Sequence, residues 1–462
     1  MAAVPSDLTV TNPFTGEAIA TVAQATVGDI DRAVASALGH LPAAPPAERA
    51  QVLERAAKLV ATRRDALAGT IAAEAGKPFK QALVEATRCA DTLTFAAVEA
   101  RTLAGDVVPI TSSTSGAGKI ALTLSEPVGV IAAISPFNFP LNLVAHKVAP
   151  AIAAGCPVVL KPSDKTPLSA LALVDILREA GHPPGALTVV NGPGDTVGAA
   201  LTNHPDIAMI SFTGSADVGW ELARRRPRIR VALELGNATP VIVTADADVD
   251  EAAARIAASG FTHAGQSCVS VQRVIVAQPV HDRLRDALVA RVEALVVGDP
   301  LDPSTDVGPL ITKAARDRVV EWIDQATDAG AQVATGGTVA DELLQPTVLT
   351  AVTPTMRVFA DEVFGPVVGL TSFTTVDEAI DLANATRYGL QAGIFTSQVD
   401  RALGWARRLH FGAVLINETP TFRADQMPYG GIKDSGNTRE GPAAAVRSMT
   451  ESRLVVIDLP GD

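Results

Sequence analysis

Apolar residues recur at helical spacing through residues 28 to 75, in "DIDRAVASAL" and then "AERAQVLERAAKLVATRRDALAGTIAAEAGK", with Pro45, Pro46 and Gly76 as breakers. An apolar stripe at i, i+3, i+4 and i+7 predicts two or three amphipathic helices there. From about residue 127 the pattern changes. Short β-branched runs ("VGVIAAIS", "PVVLKPS", "LTVVNG", "IAMISFTGS", "VALELG", "PVIVTA") alternate with Ala-rich helical stretches. Buried strands joined by crossover helices predict a parallel sheet. The alternation resumes after residue 268, with "QRVIVA", "AVTPTMRVF", "VVGLTSF", "QAGIFT" and "GAVLINE" as strand candidates. The chain reads as two α/β domains, Glu234 near the end of the first and Cys268 early in the second.

Residues 107 to 127, "VVPITSSTSGAGKIALTLSEP", interrupt the first of these domains. Two alternating segments around a Ser/Gly-rich turn predict an exposed β-hairpin. A lone hairpin is marginal in water, so it needs a partner. The carboxy-terminal "SRLVVIDLP" is another strand without a local partner. Pairing of these strands across subunits is the expectation, and pairing with each other inside one chain is the alternative.

Composition narrows the class. At 462 residues the length suggests about three domains and a chain able to bury roughly three quarters of its unfolded surface. Cys89, Cys156 and Cys268 are odd in number and widely separated, and the seven histidines form no ligand pattern; neither disulfides nor a metal site is expected. The amino terminus lacks the basic and apolar regions of a secretion signal. The most apolar stretch, 148–160, is broken by Pro150, Gly155 and Pro157 and is too short to span a bilayer. A soluble, cytoplasmic protein is expected. The net charge of −12, without acidic blocks, argues against nucleic acid or an anionic membrane as partner.

Each chemical motif admits a plain reading beside a functional one. In "GFTHAGQSCVSVQ", Cys268 is a packed core thiol or a nucleophile, and buried apolar thiols are inert. In "VALELGNATP", Glu234 caps a helix, pairs with a cation, or is desolvated into the range of a general base. "ISFTGSADVGWELA" places Gly214 and Gly219 between a strand and a helix. Phosphates bind at such a helix start, though ordinary turns look alike. Lys161 ends the strand of "VVLKPSDKTP", where α/β sheets bind ligands. Asn138 lies between Pro136 and Pro140, which restrict its backbone.

Taken together, "PFNFP", "LKPS", "FTGSADVG", "LELG", "GQSC", "DEVFGPV" and "PYGGIKDSG" resemble, in order and over essentially the whole chain, the NAD(P)+-dependent aldehyde dehydrogenase superfamily; Glu234 and Cys268 stand 34 positions apart, as in that family. The resemblance implies two Rossmann-like parallel-sheet domains and a small β oligomerisation element. Residues 1–108, 128–236 and 435–448 would form the dinucleotide-binding domain, 237–434 the catalytic thiol domain, and 109–127 with 449–462 the oligomerisation strands of a dimer or tetramer. It further implies that Cys268 attacks the aldehyde, that the Asn138 amide and the Cys268 N–H hold the oxyanion, and that Glu234 activates the water that hydrolyses the thioester. The cofactor residues it implies are Phe137, Lys161, Ser163, Asp164, Gly194, Gly198, Phe212, Gly214, Ser215, Gly219, Leu235, Gly236, Glu362 and Phe364. An acidic Asp164 beside the adenosine ribose favours NAD over NADP by repelling a 2′-phosphate. Asn237 stands where many members have a second glycine, and Asp361 where glutamate is common.

Ser267, Val269, His146 and Arg423 fall at positions that wall the family's substrate tunnel. A confined guanidinium prefers an anionic partner, so a short aldehyde with a polar or anionic tail is expected; pairing of Arg423 with Asp425 is the alternative. "PTFR" before "MPYGG" is similar to the subgroup that oxidises phosphonoacetaldehyde, lactaldehyde and succinate semialdehyde. CoA-acylating oxidation and a binding relative without turnover are the rival readings, against which Glu234 and the intact Cys268 stand.

Overall fold

The computed structural model describes residues 7–41 and 43–459. Five parallel strands form one sheet, in the spatial order Leu187–Val189, Val158–Lys161, Val130–Ile134, Ile207–Thr213 and Arg230–Glu234. The chain builds outward from Val130–Ile134 to one edge, then resumes at Ile207–Thr213 toward the other. Connections part to opposite faces at such a reversal and leave a crevice at the carboxyl ends of the two central strands.

Both faces of this sheet are covered, which is why its strands are continuous apolar runs rather than alternating ones. Ile131, Ala133, Val158 and Leu160 pack with residues of the helices Pro46–Thr62, Phe79–Thr102, Asn142–Ala154 and Leu168–Glu179. Val130, Ala132 and Val159 point the other way, into a core shared with Val27–Leu38 and Ala216–Arg225. The amino-terminal periodicity resolves into three helices, Val27–Leu38, Pro46–Thr62 and Arg64–Ala75. Phe79–Thr102, 24 residues long, is a fourth helix that the pattern had not assigned.

A second sheet has seven strands in the order Gln332–Thr335, Thr347–Thr350, Val367–Phe373, Val271–Ala277, Thr239–Val243, Gln391–Phe395 and Ala413–Ile416. All are parallel except the edge strand Gln332–Thr335. "AVTPTMRVF" is not a strand: pairing stops at Thr350, Ala351 turns left-handed (φ 55°), and Arg357–Ala360 is helical. Pro354 cannot donate to a ladder and stands in the turn between. The expected domain limit at 236/237 falls between the last strand of the first sheet and the first of the second. Residues 435–448 return to the first sheet, the Leu235 N–H donating to the Ser435 carbonyl at 3.0 Å.

The hairpin is shorter on one side than expected. Only Val107–Val108 pairs with Lys119–Pro127, because Pro109 and two single-turn helices occupy the intervening stretch. The expectation of pairing across subunits for the terminal strand is corrected as well. Thr450–Asp458 pairs along its full length with Lys119–Pro127 of the same chain. The other edge of Thr450–Asp458 has no partner in the sheet, and Leu454, Val456 and Ile457 on it are exposed.

Candidate active site

Segments from both sheets converge on a cavity of about 340 Å³. Glu234 enters it as the last residue of Arg230–Glu234, and Cys268 from the loop just before Val271–Ala277. The cavity therefore lies between the carboxyl edge of one sheet and the amino edge of the other.

The Cys268 loop is tightly constrained. His263, Ala264 and Gly265 are consecutive left-handed residues, with φ of 50°, 53° and 70°. A β-carbon at Gly265 would stand 2.1 Å from the Gly365 carbonyl oxygen, so only glycine fits. Gln266 anchors the turn: its Nε2 donates to the carbonyls of His263 and Pro309, and its Oε1 accepts the Ile311 N–H at 2.9 Å. Cys268 faces the cavity with its sulfur 2.9 Å from the Tyr429 hydroxyl. Burial pushes the thiol up to about 12; the Tyr429 hydrogen bond works in the opposite direction, and the Glu362 and Glu234 charges reinforce the rise.

Neither carboxyl oxygen of Glu234 has a hydrogen-bond partner among the described residues. Burial, then the nearby Glu440 charge, raise its pKa well above the carboxylate range, while Arg423 and Lys147 oppose them. Of the three fates open to Glu234, it adopts desolvation. Gly430 makes room for it, since a β-carbon there would meet Glu234 Oε1 at 2.6 Å and the Thr438 carbonyl at 2.1 Å.

Asn138 follows the strand Val130–Ile134, and its Nδ2 donates to the Gln266 carbonyl at 2.8 Å. One amide hydrogen is committed to the Cys268 loop, and an amide carries two. Asn138 is not itself in the cavity wall. The helix Asn142–Ala154 begins four residues later and is buried at every position. Its leading N–H groups, Leu141 and Asn142, donate to Glu85 Oε1 at 3.0 and 3.1 Å, and Glu85 is paired with buried Lys77.

Leu235, Ser267, Val269 and Arg423 line the cavity. His146 does not, which corrects its expected place in the substrate wall. It is buried with its Nε2 2.9 Å from Asp425, whose carboxylate also holds Arg88 at 2.8 Å. Burial, reinforced by the Arg423 charge, lowers the imidazole to about 4, so near neutral pH it is an uncharged strut. The alternative pairing of Arg423 with Asp425 is likewise replaced. Arg423 meets Glu440 at 3.0 Å and stacks 3.9 Å over the Tyr429 ring, with its buried Nε unpartnered. Burial works to raise Glu440, but Lys147 and Arg423 hold it at about 2.

Tyr429, Glu440 and Lys147 were not singled out from the sequence. Lys147 carried a signal: a cation within the otherwise apolar "LVAHKVAPAIAA" must find a carboxylate once that helix is buried. Its partner, Glu440, lies far along the chain and could not be guessed from spacing.

The residues expected to hold a dinucleotide gather at the carboxyl ends of the first sheet. Lys161 is buried, and its Nζ makes one hydrogen bond, to the Pro162 carbonyl at 3.1 Å, leaving donors unused. A β-carbon at Gly198, in the turn Gly194–Gly198, would stand 3.5 Å from a Lys161 methylene. Ser163 Oγ accepts the Lys165 N–H, holding the turn that contains Asp164. Gly214 passes over the Phe212 ring, where a β-carbon would be 2.6 Å from Cζ, and at Gly219 one would strike Leu235 at 2.5 Å. Ser215 precedes the helix Ala216–Arg225. Glycine at 214 lets the backbone turn closely over the Phe212 ring, and glycine at 219 lets the helix pack closely on Leu235 and Leu233; the N–H groups at the start of that helix suit a phosphate. On the cavity side, Phe137 and Phe364 meet edge to face at 5.8 Å, and Glu362 accepts the Asn237 N–H at 3.0 Å while pressing on Gly236. Asn237 is itself buried, its side chain bonded to Thr239, Leu390 and Gln391, so it occupies its place without disturbing Glu362.

A thiol and a desolvated carboxyl share one cavity beside a doubly wound parallel sheet, the setting of an α/β enzyme. Residues 2–455 match the aldehyde dehydrogenase family, and the chain belongs to it; it is an NAD(P)-dependent aldehyde dehydrogenase. A curated relative, 3-sulfolactaldehyde dehydrogenase of Priestia aryabhattai, is 42% identical over 452 residues, covering 97% of this chain and 94% of that one. The crystal structure of aldehyde dehydrogenase 21 from Physcomitrella patens, in complex with the reaction product succinate, superposes with a TM-score of 0.96 at 37% identity, covering 100% of this chain and 97% of that one. Glyceraldehyde-3-phosphate dehydrogenase GapN from Methanocaldococcus jannaschii, complexed with NADP, gives 0.94 at 36% identity, with 98% and 99% covered.

Proposed function

We propose that the protein oxidises a short aldehyde with an anionic tail to the carboxylic acid, through a covalent adduct on Cys268. The observation that carries this reading is one cavity lined by a thiol, an unpartnered buried carboxyl and a guanidinium with an unused donor. Cys268 as thiolate adds to the carbonyl carbon, and the donors proposed for the resulting oxyanion are the Cys268 N–H and the Asn138 amide hydrogen not spent on Gln266. Losing one such donor typically costs on the order of 10² to 10³ in turnover. A dinucleotide held beside the cavity would supply the acceptor for the hydride that leaves the substrate carbon. The thioester left on Cys268 takes water at its carbonyl, Glu234 receiving the water proton and sulfur departing as thiolate. Desolvation makes Glu234 a stronger base than an exposed carboxylate, which suits it to that task. CoA as acceptor would need no such base.

Lys161, Ser163, Asp164, Gly194, Gly198, Phe212, Gly214, Ser215, Gly219 and Phe137 would hold the adenosine and phosphates, and Leu235, Gly236, Glu362 and Phe364 the nicotinamide half. Asp164 favours NAD. The first sheet would serve as the dinucleotide half and the second as the thiol half, and the free apolar edge of Thr450–Asp458 supports assembly with further copies of the chain.

Lys77, Arg88 and Arg423 line the cavity, Lys77 paired with Glu85 and Arg423 with Glu440, while Arg88 pairs with Asp425, which does not line it. That arrangement supports an anionic tail, as do the sulfonated aldehyde in the Priestia enzyme's name and the succinate bound by the Physcomitrella enzyme. The test compares kcat/KM for 3-sulfolactaldehyde, succinate semialdehyde, phosphonoacetaldehyde and propanal in wild type and Arg423→Ala, with both cofactors. Removing Arg423 leaves Glu440 short of a partner and slows every substrate. The anionic aldehydes are expected to lose about 10- to 100-fold more than propanal, the range of a charged hydrogen bond. Equal losses on all four remove anion recognition.

A further inference from the structure

The Tyr429 hydroxyl is the hydrogen-bond partner of the Cys268 sulfur, at 2.9 Å. Its position is set by the backbone and by its ring. The Tyr429 N–H donates to the Glu440 carbonyl at 3.0 Å and its carbonyl accepts the Glu440 N–H at 2.6 Å, an isolated antiparallel bridge. The Arg423 guanidinium lies 3.9 Å from the ring centroid on one face, fixed in turn by Glu440. Arg423 and Glu440 thus immobilise one ring from two directions. Gly430, the next residue, makes room for Glu234, so one turn sets both the thiol's partner and the carboxyl's clearance.

We propose that Tyr429 is a further catalytic residue, whose hydroxyl donates a hydrogen bond to the Cys268 thiolate when sulfur attacks and again when it leaves. The inference rests on Cys268 being the nucleophile, as proposed above. In the opposite sense, the hydroxyl accepts from the neutral thiol, so the same contact follows the proton through the cycle. The donor is needed because the surroundings otherwise oppose a sulfur anion. Burial, Glu362 and Glu234 act against it, and the Arg423 charge, which favours it, is a smaller influence than either carboxyl. The phenol itself stays protonated: burial, with Cys268 and Glu234, raises it well above its ordinary value, against the pull of Arg423. Charge-assisted hydrogen bonds to an anion are about twice as strong as neutral ones, and stronger still out of water.

Tyr429→Phe keeps the ring, its packing and the Arg423 stack while removing the donor. The probe is iodoacetamide on the cofactor-free enzyme between pH 7 and 9, with the alkylated residue identified by mass spectrometry. With the thiol near 12, the wild-type rate climbs about tenfold per pH unit and shows no plateau in this window. In the variant the slope is retained and the rate at each pH falls about three- to tenfold. It falls less than the thiolate fraction does, because a more basic thiolate is also more nucleophilic. kcat/KM for the aldehyde drops by about 10- to 100-fold. A second measurement exploits the sequence, which has only two tyrosines, Tyr388 and Tyr429. In a Tyr388→Phe background, biosynthetic fluorotyrosine labels Tyr429 alone and makes its phenol a stronger donor, so alkylation accelerates. Rates unchanged within twofold in both experiments overturn the role of Tyr429. If alkylation of Cys268 leaves aldehyde oxidation intact, the nucleophile assignment has failed instead, and the two failures are distinct.

Discussion

A Glu234→Gln variant is expected to complete one turnover per site and then stall. NADH forms in a burst matching the enzyme concentration, followed by a steady rate lower by about 10² to 10⁴, the range for a lost general base. Glutamine has the same shape, so the fit against Gly430 survives, and neither carboxyl oxygen surrenders a protein hydrogen bond because neither has one. Acylation persists because the sulfur keeps Tyr429, and the Asn138 amide stays anchored on Gln266. Hydrolysis fails for want of a proton acceptor. Acid quenching after the burst, followed by peptide mass analysis, should find Cys268 carrying the acyl group. An unmodified Cys268 together with wild-type turnover would falsify the assignment of Glu234 to deacylation.

Cys268→Ala is the more severe change. Without sulfur there is no adduct from which hydride can leave, and oxidation of every aldehyde in the panel falls by on the order of 10⁴ to 10⁶, as for other covalent nucleophiles. Dinucleotide binding should survive, since of the residues proposed for it Lys161 ends a strand of the five-stranded sheet and Gly198, Gly214 and Gly219 lie in that sheet's connections, apart from the Cys268 loop. Titration of NADH fluorescence should therefore give a Kd within a few-fold of wild type. A variant that oxidises aldehydes at more than a hundredth of the normal rate would show that the sulfur does not carry the reaction.

Much of this fold was legible because its strands are buried on both faces. Continuous runs such as "VGVIAAIS" and "PVVLKPS" have no other stable home than a covered parallel sheet, and they mark the first sheet directly. "AVTPTMRVF" misled for a local reason: it has β-branched residues at strand spacing, but its backbone reverses at Ala351. The pairing of 119–127 with 450–458 depends on two segments far apart in sequence, and neither carries a mark of its partner. At the site, Cys268 and Glu234 could be named because "GQSC" and "LELG" stand in the order and at the interval of the family's motifs, and Arg423 because it falls at a substrate-wall position of that family. His146 was named from such a position too, yet its charge-free ring serves Asp425 outside the cavity wall. Tyr429 was hidden because an aromatic beside "GG" in a loop looks like packing, and only the 2.9 Å approach of its hydroxyl to sulfur distinguishes it.

Glu234 rides on the end of one sheet and Cys268 just before a strand of the other, so their separation depends on how the two sheets pack together. A small rotation of one sheet against the other that leaves both cores intact would part the proposed water-activator from the proposed acyl carrier. Catalytic competence should therefore vanish in urea at concentrations where far-UV circular dichroism still reports a native helix content, and return on dilution without refolding kinetics.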